Sequence, residues 1–212
     1  MFLLLTYGGA HVANLPGAAI TTDSGEQLID TSNISFKAVS SGIGLIINIW
    51  VFFRVSGSAF NPVVSMALVI VGAITPVRGL LYSIAQLLGG MCAAALIDGL
   101  MPGPLGCATR LGGGVSIAQG KAVSSPTVDR TGLFLEVFLT AQLVLVILML
   151  AVEKQKSTYL APVSIGLAVI VGQMVGIYYT GASLNPARTF GPDVIVGFPD
   201  YHWIYCIFLS QN

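Results

Sequence analysis

Charge is scarce in this chain. Nine basic and nine acidic residues cancel, and charged residues make up 8% of its 212 positions, against about 25% in a soluble domain. Such a surface cannot face water on every side. The zero net charge leaves no basic field for nucleic acid and no acidic tail. Cysteine is rare too: Cys92, Cys107 and Cys206 are an odd set without metal or redox spacing, and are expected to be small buried hydrophobes. The two histidines, His11 and His202, stand far apart with no second ligand at metal spacing, so neither a metal nor a cofactor is expected. No nucleophile elbow, zinc motif or phosphate loop occurs. Gly112-Gly113-Gly114 has no strand before it and no Lys-Ser/Thr after it, and reads as a loop. These absences argue against an enzyme.

What the chain has is long apolar runs. Hydrophobic residues are 55% of it, with a mean hydropathy of +0.86. A membrane helix needs about 20 mostly apolar residues. Residues 36–55, 77–100, 131–152 and 158–179 qualify. Residues 2–13 and 203–209 are shorter, giving six expected spans with the first and last truncated. The leading stretch lacks the basic flank of a signal peptide and precedes further spans, so it reads as a membrane helix. Two more apolar segments, 61–73 and 185–197, have the length of re-entrant elements.

The connections carry the polar residues. Asp23, Glu26 and Asp30 lie in 15–33, the segment 101–129 is rich in Gly, Ser and Pro, and 153–157 is short and charged. Arg54, Arg78, Lys154 and Lys156 share one side, and the acidic first loop lies on the other with Arg110 and Lys121. The positive-inside rule then places the N-terminus in the cytosol.

Two octapeptides match. Ser56-Gly57-Ser58-Ala59-Phe60-Asn61-Pro62-Val63 and Thr180-Gly181-Ala182-Ser183-Leu184-Asn185-Pro186-Ala187 both run hydroxyl, Gly, two small residues, a large apolar residue, Asn-Pro and an aliphatic residue. The first follows the second span and the second follows the fifth. Three crossings separate them, an odd number, so the copies enter from opposite faces as an inverted repeat, with function expected near the midplane. Residues 1–100 form the first repeat and 131–212 the second, within a single domain covering 1–212.

Asn is a favoured N-cap and Pro a favoured first helical residue. Asn61-Pro62 and Asn185-Pro186 therefore read as the starts of two half-helices whose N-termini meet at the bilayer centre. Non-helical backbone at that depth requires burial or a polar cavity. Two positive dipole ends facing each other repel cations, while two Asn amides offer donors to a passing oxygen. One Asn-Pro is most often an ordinary turn; two in matched octapeptides at inverted places point to a pore for neutral molecules.

At these residues the chain resembles the aquaporins, the major intrinsic protein family. Asn185-Pro186-Ala187-Arg188 matches that family's second motif in full. The likeness extends to Gln86, to Glu136 with Thr140, to Tyr178-Tyr179-Thr180-Gly181 and to His202-Trp203-Ile204-Tyr205. The stretch Val51 to Gly57 is most similar to fungal members. The resemblance implies an all-α, six-span membrane fold with two re-entrant half-helices and a homotetramer with one pore per subunit. It further implies a passive channel for water that excludes ions, residing in the plasma membrane. Its pore motifs would be Asn61, Pro62, Val63 and Asn185, Pro186, Ala187. Its selectivity filter would be Ser41, Gln173, Ala182 and Arg188, with backbone carbonyls fixing the guanidinium.

Departures from the family pattern shape the expectation. Ser41 stands where water-selective members have an aromatic ring, and Gln173 where they have His, which implies a wider or differently shaped opening. Thr189 stands where glycerol facilitators carry an acid. Val63 replaces the usual Ala. The glutamate pattern that normally opens the first span is missing. Two alternatives to a water channel follow: a channel for glycerol-like neutral solutes, and a non-conducting fragment that modulates intact relatives. Glu136 is an intramembrane carboxylate and hence a candidate for function; as a lone acid it is expected to accept backbone N–H groups of the second loop rather than relay protons. Asp98, near a span end, should be solvated. Gly89, Gly90, Ala93, Ala94, Ala95, Gly166, Gly172 and Gly176 suit close helix packing.

Overall fold

The computed structural model describes residues 1–15, 31–112, 126–153, 156 and 158–206, with the backbone alone for 126–131. Asp23, Glu26, Asp30, Lys121, Lys154, Gly113, Gly114 and the end of the 203–209 segment lie outside these residues. The described residues are helical, with no strand among them. In chain order they form α1 (Phe2–Ala13), α2 (Thr31–Ser56), α3 (Pro62–Ile70), α4 (Pro76–Leu100), α5 (Pro126–Ile147), α6 (Ala161–Thr180) and α7 (Pro186–Val196). A π-helical turn, Leu148–Val152, extends α5, and a 3-10 turn, His202–Tyr205, follows α7.

Thr31–Ser56, Pro76–Leu100, Gly132–Val152 and Thr158–Thr180 are long and apolar enough to cross a membrane, and Phe2–Ala13 is a shorter apolar helix. These are the five long or leading segments read from hydropathy, with α2 starting five residues earlier. The two segments after the Asn-Pro pairs are short helices, 9 and 11 residues long.

The starts and stops have local causes. Pro76 opens α4 behind Thr75, whose Oγ1 accepts from the Arg78 amide at 3.4 Å. The two spans that precede the repeated motifs end alike. Gly57 and Gly181 take φ of 76° and 78°, and their amides donate back to the carbonyls of Phe53 and Ile177 at 3.0 and 3.1 Å. A left-handed glycine is the common way to stop a helix. It turns the chain sharply at both places.

Helix packing brings distant parts of the chain together. α2 crosses α6, and α4 packs on α7. At the α2–α6 crossing a Cβ on Gly42 would lie 2.6 Å from the Gly166 carbonyl oxygen, and one on Gly166 would lie 2.7 Å from that of Gly42. At the α4–α7 contact a Cβ on Gly90 would meet the Ala187 oxygen at 2.6 Å. Lipid tails are as apolar as Leu, so close backbone approach through small residues drives such contacts. Gly172 and Gly176 abut Leu184 and Ala182 of the second loop in the same way. Gly89 does not share this role, because nothing lies within 4 Å of its would-be Cβ. Ala95 is exposed as well. Of the cysteines, Cys107 is buried, Cys206 is half-buried and Cys92 is exposed on α4. Asp98 is exposed at the end of α4.

Candidate functional site

Both Asn residues sit just outside their helices in extended backbone, Asn61 at φ −143° and Asn185 at φ −155°. Each Oδ1 caps its own half-helix: Asn61 accepts from the Val63 amide and Asn185 from the Ala187 amide, both at 3.0 Å. Pro62 and Pro186 occupy the first turn, where no amide hydrogen is needed. The side-chain amides then cross over. Asn61 Nδ2 donates to the Leu184 carbonyl at 2.6 Å, and Asn185 Nδ2 donates to the Phe60 carbonyl at 2.9 Å. Each Asn thus holds the residue just before the other Asn. A carboxamide has two N–H donors, so one on each side remains for another acceptor. Both residues are buried.

A cavity of about 710 Å³ leads to this point. It runs from the C-terminal end of α2, beside Arg54 and Tyr159, to Asn61, Asn185 and Gln173. Its walls are mainly apolar side chains such as Ile49, Leu143 and Val169. A greasy wall that ends in two capped half-helices concentrates the polar groups at one level.

The second loop is held by a buried acid. Glu136 reaches it from α5 and is buried. Its Oε1 accepts from Thr180 Oγ1 at 2.6 Å and the Ser183 amide at 2.9 Å, and its Oε2 accepts from the Leu184 amide at 3.0 Å. Ala182 and Leu184 have φ of 43° and 51°, a left-handed region costly for residues with a Cβ. The carboxylate bonds supply what the strained turn needs. In the first loop Gln86 does related work: its Nε2 donates to the Ala59 carbonyl at 2.7 Å and to Ser65 Oγ at 2.9 Å. There Gly57 and Ser58 carry positive φ and Phe60 does not.

The four positions expected to form a filter lie on α2 (Ser41), α6 (Gln173), the second loop (Ala182) and the first turn of α7 (Arg188), and all four are buried. Gln173 is the one of the four that lines the cavity with the paired Asn residues. Gln173 Oε1 and Arg188 Nε and Nη1 are buried without a hydrogen-bond partner among the described residues. Carbonyls were expected to fix the guanidinium; at Nε and Nη1 none does. An acceptor and two donors are thus left unspent inside the protein at these two positions. Val63 is buried in the first turn of α3.

Three features escaped sequence reasoning. Thr189 is wholly buried and continues a hydroxyl chain: Thr109 Oγ1 donates to Thr189 Oγ1 at 2.7 Å, Thr189 to Ser183 Oγ at 2.6 Å, and Ser183 to the Asn185 carbonyl at 2.8 Å. Asp193, also fully buried, pairs with Arg110 Nη1 at 2.6 Å and with His202 Nδ1 at 2.7 Å. Burial alone would lower the His202 pKa, but the hydrogen bonds to Asp193 and Cys206 outweigh it and leave it raised to about 9. His11, read only as a non-ligand, contacts the Pro102 carbonyl through Nε2 and accepts from the Gly106 amide through Nδ1. The spacing Arg110, Asp193, His202 gives no local signal, since the partners meet only in the fold.

Comparison with known proteins identifies the family. The family model for major intrinsic proteins matches residues 2–208. Aquaporin-7 of Botryotinia fuckeliana is 44% identical over 208 residues, covering 98% of this chain and 43% of that protein. Aquaporin-1 of Gibberella zeae is 44% identical over 207 residues, covering 98% of this chain and 60% of that protein. The chain thus spans about half the length of the curated relatives it matches. Among solved structures, the aquaglyceroporin of Plasmodium falciparum superposes with a TM-score of 0.70 over 97% of this chain and 85% of that one, at 19% identity. That likeness concerns the fold.

Proposed function

The chain belongs to the major intrinsic protein family, and we propose that it forms a passive transmembrane channel that passes water and excludes protons and ions. The observation that carries this reading is the crossed pair of bonds from Asn61 to the Leu184 carbonyl and from Asn185 to the Phe60 carbonyl. It holds two helix N-termini face to face, each with one N–H left for a permeating oxygen. A water molecule there exchanges its bulk partners for two amide donors. A cation meets two positive dipole ends and loses its hydration without repayment. Arg188 adds a positive charge near the Asn pair, which opposes cations again. Water, the lipid bilayer and a homotetramer in the plasma membrane are the partners and setting of this reading.

Stopped-flow shrinkage of proteoliposomes under a sucrose gradient tests it. Vesicles holding the chain should shrink faster than protein-free vesicles, and a pH gradient across them should persist.

A second reading has its own support. Ser41 and Gln173 present a hydroxymethyl and a carboxamide at the filter positions, and Gln173 Oε1 is unpaired. A hydroxymethyl group in place of an aromatic ring favours a wider passage for small uncharged solutes such as glycerol. Under this reading glycerol enters the vesicles, and Ser41→Phe reduces glycerol passage far more than water passage. Glycerol flux absent from the parent, or both fluxes lowered equally, removes it.

A further inference from the structure

Pro192 sits inside α7. In an α-helix the amide of residue 192 would donate to the carbonyl of Arg188, four residues back. Proline has no N–H, and its ring pushes that carbonyl outward. In a membrane interior an unpaired carbonyl has no water to turn to. The Arg188 carbonyl is nevertheless paired. Tyr7 Oη, from α1, donates to it at 3.0 Å and also lies 3.2 Å from the Ala187 carbonyl.

The surroundings are shaped for this contact. Tyr7 is completely buried. A Cβ on Gly191 would lie 2.8 Å from Tyr7 Oη and 2.5 Å from the Gly90 carbonyl, so only glycine leaves the notch open. Arg188 itself has Nε and Nη1 without partners among the described residues. Its side chain is therefore weakly tied at those atoms, and the backbone anchor carries more of the task of aiming it.

We infer that Tyr7 is a positioning residue for Arg188: its hydroxyl replaces the amide hydrogen that Pro192 lacks and fixes the backbone from which the guanidinium projects. The inference rests on the reading of Arg188 as a pore-filter residue. Tyr7 touches no permeant; it acts through the carbonyl of Arg188.

The pair Tyr7 and Pro192 offers a rescue test. Tyr7→Phe keeps the ring and removes the donor. Pro192→Ala restores an amide hydrogen to the same carbonyl. In proteoliposomes, Tyr7→Phe should keep water flux near that of the parent and raise proton leak, read with an entrapped pH dye, by about fivefold, the factor that one net hydrogen bond makes in an equilibrium. Adding Pro192→Ala should return the leak to the parent level. Thermal melting in detergent should show the same coupling, with the double variant more stable than the sum of the single effects. An unchanged leak in Tyr7→Phe, or a leak that Pro192→Ala leaves in place, overturns the inference. If parent vesicles pass no water, the channel reading fails by itself, and the melting cycle still decides: non-additive effects uphold the Tyr7–Pro192 coupling and additive effects refute it.

Discussion

Glutamine in place of Glu136 keeps the size of the side chain and turns one acceptor oxygen into a pair of donors. Glu136 now accepts three bonds, from Thr180 Oγ1, the Ser183 amide and the Leu184 amide. A glutamine carbonyl can serve either the Ser183 side or Leu184. In both orientations its NH₂ group faces a backbone N–H, and one buried donor is left unmet. That costs about 1–3 kcal/mol. Glu136→Ala leaves both amides unmet, roughly 2–6 kcal/mol by the same figure, while Thr180 Oγ1 retains a weak alternative at the Gly176 carbonyl, 3.4 Å away. The loss falls on a turn that already holds Ala182 and Leu184 at positive φ. The expected order of melting temperature in detergent is therefore parent, then Gln, then Ala. Hydrogen exchange at Ser183 and Leu184 should rise in the same order. A Glu136→Gln protein that melts with the parent and exchanges no faster at these two amides would refute the claim that the carboxylate holds the loop.

Other predictions follow from single contacts. Gly166→Ala places a methyl 2.7 Å from the Gly42 carbonyl and should lower the melting temperature. Gly89→Ala meets nothing within 4 Å and should be neutral or stabilising by up to about 1 kcal/mol, the helix preference for Ala; equal effects in the two variants would contradict the packing argument. The raised pKa of His202 means that its bond to Asp193 contributes fully below the ordinary value of 6.5 and is lost as pH rises through about 9. Melting temperature should decline across that window, and His202→Gln should flatten the decline. Arg188→Val should increase proton or cation leak through proteoliposomes, because charge and donors vanish together; unchanged exclusion would leave the paired half-helix dipoles as the whole barrier.

The parts of the fold legible in the sequence were those written in local chemistry. Asn-Pro marks a capped helix start wherever it occurs, and the octapeptide repeat with an odd number of spans between its copies implies opposed half-helices. The spans were legible because a bilayer demands about 20 apolar residues in a row. The facing of each span was not. Lipid and protein interior are both apolar, so Gly89 and Cys92 look the same in sequence whether they meet a helix or a lipid tail, and both turn out to face outward. Side-chain partners brought together by the fold were equally hidden. Tyr7 lies 181 positions from Arg188, and no local pattern announces that its hydroxyl answers a proline. Thr189 read as the absence of an acid and proved to be the middle of a buried hydroxyl chain linking Thr109 to the Asn185 loop.

The central claim is that the opposed half-helices, crossed at Asn61 and Asn185, make a path for water that a proton cannot follow. Simultaneous recording of water and proton movement in one proteoliposome preparation tests it most directly, with light scattering after a sucrose jump and an entrapped pH dye under an imposed pH gradient. The account predicts shrinkage well above the lipid rate while the pH gradient decays no faster than in protein-free vesicles. Shrinkage at the lipid rate, or a pH gradient that collapses along with the water flux, would contradict it.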